Sequence, residues 1–297
     1  MTDTPQPQPA PELPDLFEEE RPRTRTERFL RQYPAMCVGL ALIGLAILVA
    51  VFAPLLATHD PVALDPAIRL RPPSANAWFG TDMLGRDVYS RVIYGSRVSL
   101  IIGFGVAISA TVIGLAIGLV SGYVRILDSI VMRVMDGLMA IPAILLAVAL
   151  MALVGGSVFN VILAITIAEI PRVARLVRST VLSLREQAYV DAAIASGTRP
   201  LAIIWYHILP NAMPPIMVQA TYICASAMVI EAILSFIGAG TPPTVPSWGN
   251  IMTDGRALWQ VKPYIIAFPA IVLSITVLAV NLVGDGLRDY LDPRQSK

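Results

Sequence analysis

Six stretches of the chain are apolar for long enough to cross a bilayer, whose hydrocarbon core of roughly 30 Å needs about 20 residues of helix. They cover residues 35–57, 98–120, 137–154, 158–177, 216–237 and 264–283. The pattern predicts an all-α integral membrane protein with six transmembrane helices. Only Gly155, Gly156 and Ser157 separate the third stretch from the fourth, which predicts a tight turn between antiparallel helices. Polar stretches divide the remainder into a long loop at 58–97 rich in proline and glycine, a second loop at 179–215 and a third at 238–263. No internal repeat is visible. Secondary transporters often carry two related halves, so six helices without that symmetry suggest half of a larger pore.

Lysine and arginine positions set the orientation. With both termini in the cytoplasm, 15 of the 22 basic residues fall inside and 7 outside. The five arginines of loop 58–97 run against this bias, but Asp60, Asp65, Asp82 and Asp87 accompany them.

Composition agrees with a lipid solvent. Hydrophobic residues make up 56% of the 297 and charged residues 14%, against about 25% charged in a typical soluble domain. The net charge of +1 points to neither nucleic acid nor an acidic partner. Cys37 and Cys224 lie in apolar runs and read as small buried hydrophobes. His59 and His207 are far apart in sequence, so no metal site is expected, and no cofactor. No cleavable signal peptide is evident. Residues 1–32 read as a cytoplasmic tail, disordered through Pro5, Pro7, Pro9, Pro11, Pro14 and the run Glu18, Glu19, Glu20, with a basic juxtamembrane end. Residues 33–96 hold the first helix and the long outer loop, 97–287 the membrane core, and 288–297 a cytoplasmic C-terminal tail.

Ala110, Gly114, Gly118 and Gly122 recur every fourth residue in the second stretch. One helix face is thereby stripped of side chains, so a neighbouring helix can approach closely. The spacing leaves open whether that neighbour belongs to the same chain or to another subunit. Two acids lie in apolar runs. Glu169 precedes Arg172 by three residues, a spacing that pairs them on a helix. Glu231 has no such partner. A carboxylate at the bilayer centre costs about 2.5–3.5 kcal/mol on insertion scales. Each acid therefore either lines a polar pathway or is satisfied by packing partners.

The loop at about 185–211 carries the most specific pattern. Asp191 can favour a helix start, Ala192, Ala193 and Ala195 give a helix of little bulk, Gly197 can take the positive φ that ends it, and Pro210 is expected to stop any further helix. A short, small-faced helix of this kind can sit in a groove of another protein.

Asp191-Ala-Ala, Gly197 and Ile208-Leu-Pro210 together resemble the EAA loop of bacterial ABC importer permeases, with Asp in place of the usual Glu. Phe79-Gly-Thr-Asp-Met-Leu-Gly-Arg-Asp87, Glu231-Ala-Ile-Leu-Ser-Phe-Ile-Gly238, Pro246-Ser-Trp-Gly-Asn250 and Gly284-Asp-Gly-Leu-Arg-Asp-Tyr-Leu-Asp-Pro293 resemble the C-type permease of the dipeptide/oligopeptide/nickel branch. The resemblance covers nearly everything after the tail. It implies a type I ABC importer permease fold in the bacterial inner membrane, carrying di- or oligopeptides. It also implies a homologous second permease, two ATP-binding subunits (or a fused one) and an extracytoplasmic substrate-binding protein. Asp191, Ala192, Ala193, Gly197, Leu209 and Pro210 take the role of coupling to the ATPase. No phosphate-binding Gly-x-x-x-x-Gly-Lys-Ser/Thr motif occurs, and no catalytic constellation is recognisable, so ATP hydrolysis is expected in the partner subunits. The alternatives are the same transporter class carrying nickel, glutathione or haem, and a stand-alone ion-driven carrier or channel.

Overall fold

The computed structural model describes residues 25–291. The proline-rich and acidic part of the tail, and the last six residues, lie outside the described residues. The described chain divides into two units, residues 1–34 and 35–297. In the first, Arg25–Gln32 forms α1, so the basic end of the expected tail is helical.

The next helix, α2 (Pro34–Val51), is followed by the single turn α3 (Ala53–Leu56). Then come α4 (Val88–Tyr123), α5 (Arg125–Met139), α6 (Ala143–Val154) and α7 (Val158–Arg185). The short helices α8 (Ala188–Ala195) and α9 (Pro200–Ile203) lead through a π-helical turn at Ile204–Ile208 into α10 (Leu209–Phe236). The described residues end with α11 (Trp248–Gly255) and α12 (Tyr264–Leu291). Among the described residues there is no strand, only an isolated bridge between Thr81 and Asp87.

Four helical stretches are long and apolar enough to cross a membrane: Pro34–Val51, Val88–Tyr123, Pro200–Phe236 and Tyr264–Leu291. The third expected span is not one helix. Pro142 has no N–H and disfavours the α conformation at Ile141, and the chain bends by 88° between α5 and α6. At 12 residues α6 reaches only about 18 Å. The fourth expected span lies within α7, whose first 18 residues contain Glu169, Arg172 and Arg175. The expected tight turn between α6 and α7 is present: Gly155 takes φ +85° and Ser157 caps α7 through its hydroxyl, which accepts from Asn160 N at 3.0 Å.

Three boundaries differ from the apolar pattern. Helix α4 begins at Val88, ten residues before the apolar run, because Asp87 caps it: Asp87 Oδ2 accepts from Ser90 N at 2.8 Å. Helix α12 continues to Leu291, so residues 288–291 of the expected tail are helical. Pro210 does not stop the helix. It sits in the first turn of α10, where a missing N–H costs little, and the widened π turn before it makes room for the ring.

The helix packing rests on close approach. A β-carbon added at Gly114 would lie 2.5 Å from Val173 Cβ, one at Gly118 2.5 Å from Val177 Cβ, and one at Gly122 2.8 Å from Val181 Cβ. The face formed by Ala110, Gly114, Gly118 and Gly122 is thus buried against α7 of the same chain. Ser109 and Thr166 hydroxyls meet at 2.7 Å along this seam, and Arg185 donates to the Gly122 carbonyl at 2.9 Å. Arg175 pairs with Asp136 at 2.6 Å, and Arg178 forms a bidentate pair with Asp128, tying α5 to α7.

Candidate functional site

Three regions carry the residues singled out in the sequence. The first is the segment around α8. Asp191 does not open this helix: Gln187 is the N-cap and Asp191 lies in the first turn. The C-terminus closes as a Schellman motif, with Thr198 N donating to Ala193 O at 3.1 Å and Gly197 N to Ile194 O at 2.9 Å. Gly197 takes φ +76°, as the sequence anticipates, and a β-carbon there would meet nothing within 4 Å. Its requirement is therefore conformational and local, not one of space.

Asp191, Ala192 and Gly197 are exposed, while Ala193 and Leu209 are partly buried. Pro210 is exposed at the foot of α10. The segment stands on Val190, Ile203 and Ile208, all buried in the main hydrophobic core. Its outer side carries exposed Tyr189, Ile194, Leu201, Trp205 and Tyr206. These five apolar side chains were not read from the sequence as part of the site. The signal is a Trp-Tyr pair and Leu201 just before the apolar run at 216–237.

The second region joins loop 58–87 to α11 and α12. Asp82 and Arg91 are fully buried. Arg86 Nε lies 2.6 Å from Asp82 Oδ2, and its Nη2 lies 2.8 Å from Asp254. Arg91 Nη1 reaches both Asp82 at 2.5 Å and Asp254 at 2.7 Å. Two arginines and two aspartates therefore balance, which removes most of the cost of burying them. Phe79 stacks on Phe268 at 3.9 Å, and Tyr264 Oη donates to Arg71 O at 2.9 Å. Trp248, fully buried, donates from Nε1 to Val92 O at 3.1 Å. The motifs at residues 79–87 and 246–250 thus join in one cap at the ends of α4, α11 and α12.

Glu231 belongs beside this cap. It is fully buried, and Oε1 accepts from the Ser235 and Ser247 hydroxyls, each at 2.8 Å. Ser247 also caps α11, and Asn250 Nδ2 donates to Thr241 Oγ1 at 2.8 Å and Val245 O at 3.0 Å. Glu231 joins α10 to the turn before α11.

The third region contains Glu169, which is 1% exposed. It pairs with Arg172 at 3.5 Å, and neither carboxylate oxygen has a hydrogen-bond partner among the described residues. Both side chains line a cleft of about 450 Å³ with Pro142, Tyr222, Ser226 and Asn281. The sequence gives Glu169 a partner in Arg172 and none to Glu231; in the fold it is Glu231 that receives hydroxyl donors and Glu169 that receives none. The described residues contain no group of three or more His, Cys, Asp or Glu side chains suited to a metal.

Comparison with known proteins agrees with this architecture. Residues 110–297 match the family described as binding-protein-dependent transport system inner membrane component. Residues 25–73 match the N-terminal TM domain of oligopeptide transport permease C. A probable peptide ABC transporter permease of Sinorhizobium fredii is 50% identical over 93% of this chain and 96% of its own. A dipeptide transport system permease of Alkalihalophilus pseudofirmus is 42% identical over 98% of this chain and 96% of its own. Among solved structures, an inward-facing MetNI methionine ABC transporter chain superposes with a TM-score of 0.58 at 21% identity, covering 68% of this chain and 96% of that one, which shows a shared fold. The chain therefore belongs to the binding-protein-dependent transport system inner membrane components, as a multi-pass permease subunit of an ABC transporter.

Proposed function

We propose that this chain forms half of the translocation pathway of an importer of di- and oligopeptides, and that the α8 segment couples it to a separate ATPase. The observation that carries the coupling is an exposed helix on a buried footing. Val190, Ile203 and Ile208 fix α8 to the core, so a force on its outer face moves α10 with it. Asp191, Ala192, Ala193 and Gly197 form the small-sided end of the docking element, and Leu209 and Pro210 join it to α10. The exposed Leu201, Trp205 and Tyr206 supply apolar area of the kind that anchors protein interfaces.

The peptide cargo is supported by the two relatives named for peptide and dipeptide transport. The partners in this reading are a homologous second permease, two ATP-binding subunits or a fused one, and an extracytoplasmic substrate-binding protein that meets the outer cap. The chain itself is not an enzyme in this reading. Both termini face the cytoplasm, supported by the excess of lysine and arginine on that side. Six spans result if α5 and α6 count as one broken span and α7 as another. Closure of the ATPases then moves α8 and α10 as a rigid lever.

The test is uptake of labelled di-, tri- and tetrapeptides by cells lacking the gene, with parallel peptide systems deleted, with and without the plasmid-borne wild type. Uptake that falls and returns fixes the cargo class and brackets its length. Unchanged uptake moves the cargo to nickel, glutathione or haem. Transport by the purified chain without ATP would overturn the coupled mechanism.

A further inference from the structure

Glu169 stands out among the buried charged groups of the described residues because both of its carboxylate oxygens lack a hydrogen-bond partner, where Glu231 and Asp87 each leave one oxygen open. Asp82 and Arg91 are fully engaged, and Glu231 has two hydroxyl donors on one oxygen. Glu169 has neither. Arg172 lies 3.5 Å away and is itself 44% exposed, so it offsets the charge without donating a hydrogen bond. A buried carboxylate with open acceptor positions is costly unless a donor arrives.

The cleft lined by Glu169 is the place from which a donor can approach. Glu169 lines a cleft of about 450 Å³, within the range of about 300–1,000 Å³ common to small-ligand sites. Tyr222 and Arg172 at its margin are exposed, and Ser226 and Asn281 add neutral polar groups. The other side of the cleft is made by the break at Pro142, where α6 begins without a side-chain cap.

We propose that Glu169 is a specificity-determining contact of the pathway, accepting hydrogen bonds from the α-ammonium group of a passing peptide. The ammonium is a compact cation with three donors, which suits a carboxylate that has acceptors free and a low-dielectric surrounding. Arg172, 3.5 Å away, offsets part of the cost of a charge on this carboxylate while the cleft is empty. The contact is transient by construction, because the arginine beside Glu169 competes for the same charge and allows release. This inference rests on the peptide reading of the cargo.

The experiment uses the complete transporter with its binding protein in proteoliposomes and labelled dialanine, whose only cationic group is the α-ammonium. In Glu169→Gln, the dialanine moved per ATP hydrolysed falls about tenfold or more, as expected for loss of one charge-assisted hydrogen bond. Glu169→Asp, which keeps the charge, recovers most of the loss. A Glu169→Gln complex that moves dialanine at the wild-type ratio overturns the proposal. So does a loss that Glu169→Asp shares in full together with reduced assembly, because that marks a structural role. A wild-type complex that moves no dialanine overturns the peptide reading and this proposal with it; normal wild-type transport separates the two failures.

Discussion

Arg91 Nη1 lies 2.7 Å from Asp254 Oδ2, although the two residues are 163 positions apart in sequence. The contact fastens the start of α4 to α11, and Asp82 and Arg86 complete the charge balance around it. With Asp82 and Arg91 fully buried and Asp254 partly so, the cluster has to form as a unit, because a buried member alone would be an uncompensated charge.

Arg91→Ala is expected to destabilise the protein strongly. Breaking a buried pair by removing one partner costs about 3–5 kcal/mol, and Arg86 recovers part of it through its own contacts to both aspartates. Thermal unfolding of the detergent-solubilised protein should show a clear drop in Tm. A double-mutant cycle with Asp254→Ala should show strong coupling between the two sites.

Gly118→Val is expected to fail where Gly137→Ala succeeds. The β-carbon at Gly118 would meet Val177 at 2.5 Å and the Ala174 carbonyl at 2.7 Å, whereas nothing lies within 4 Å of one at Gly137. Overpacking of this kind costs about 1–3 kcal/mol or more. Membrane abundance and resistance to limited proteolysis of the two variants check the contrast.

Gly197→Val separates folding from coupling. The left-handed conformation costs a non-glycine residue about 1–2 kcal/mol, and the open space around Gly197 confines the strain to the end of α8. Normal insertion with reduced recovery of ATP-binding subunits on co-purification is the expected result. Normal co-purification and normal transport would remove α8 from the docking role.

Glu231→Gln is expected to leave peptide uptake near wild type, because Gln retains an acceptor for Ser235 and Ser247. Glu231→Ala should lower stability by about 1–3 kcal/mol, since both hydroxyls lose their acceptor in a buried place. Uptake and Tm measured on the same pair of variants distinguish this packing role from a pathway role.

Legibility in the sequence followed the range of the interactions. The turn at Gly197 was readable because a positive φ is a property of a few consecutive residues. The small-residue face of α4 was readable for the same reason, since a spacing of four defines one side of a helix. Its partner was not, because nothing in that spacing names α7. The break at Pro142 was in plain view, yet the apolar run on both sides of it outweighed the proline. Pro210 was misread in the opposite sense, because whether a proline ends a helix depends on its position in the first turn and on the π turn before it. The exposure of Trp205 and Tyr206 is not legible in the sequence, since apolar residues between spans become informative only once their exposure is known.

By itself, the sequence determined that this is a multi-span helical membrane protein, which of its segments are apolar, and where its short coupling-like helix ends. These follow from hydropathy, from proline and glycine chemistry, and from residues near one another in the chain. Only the tertiary structure decided that Glu231 is held by hydroxyl donors on one oxygen while Glu169 has none on either. Glu231 meets two hydroxyls, one from the far side of a turn, and Glu169 lines a cleft, because burial and hydrogen-bond partners are set by chain segments that fold together from distant positions.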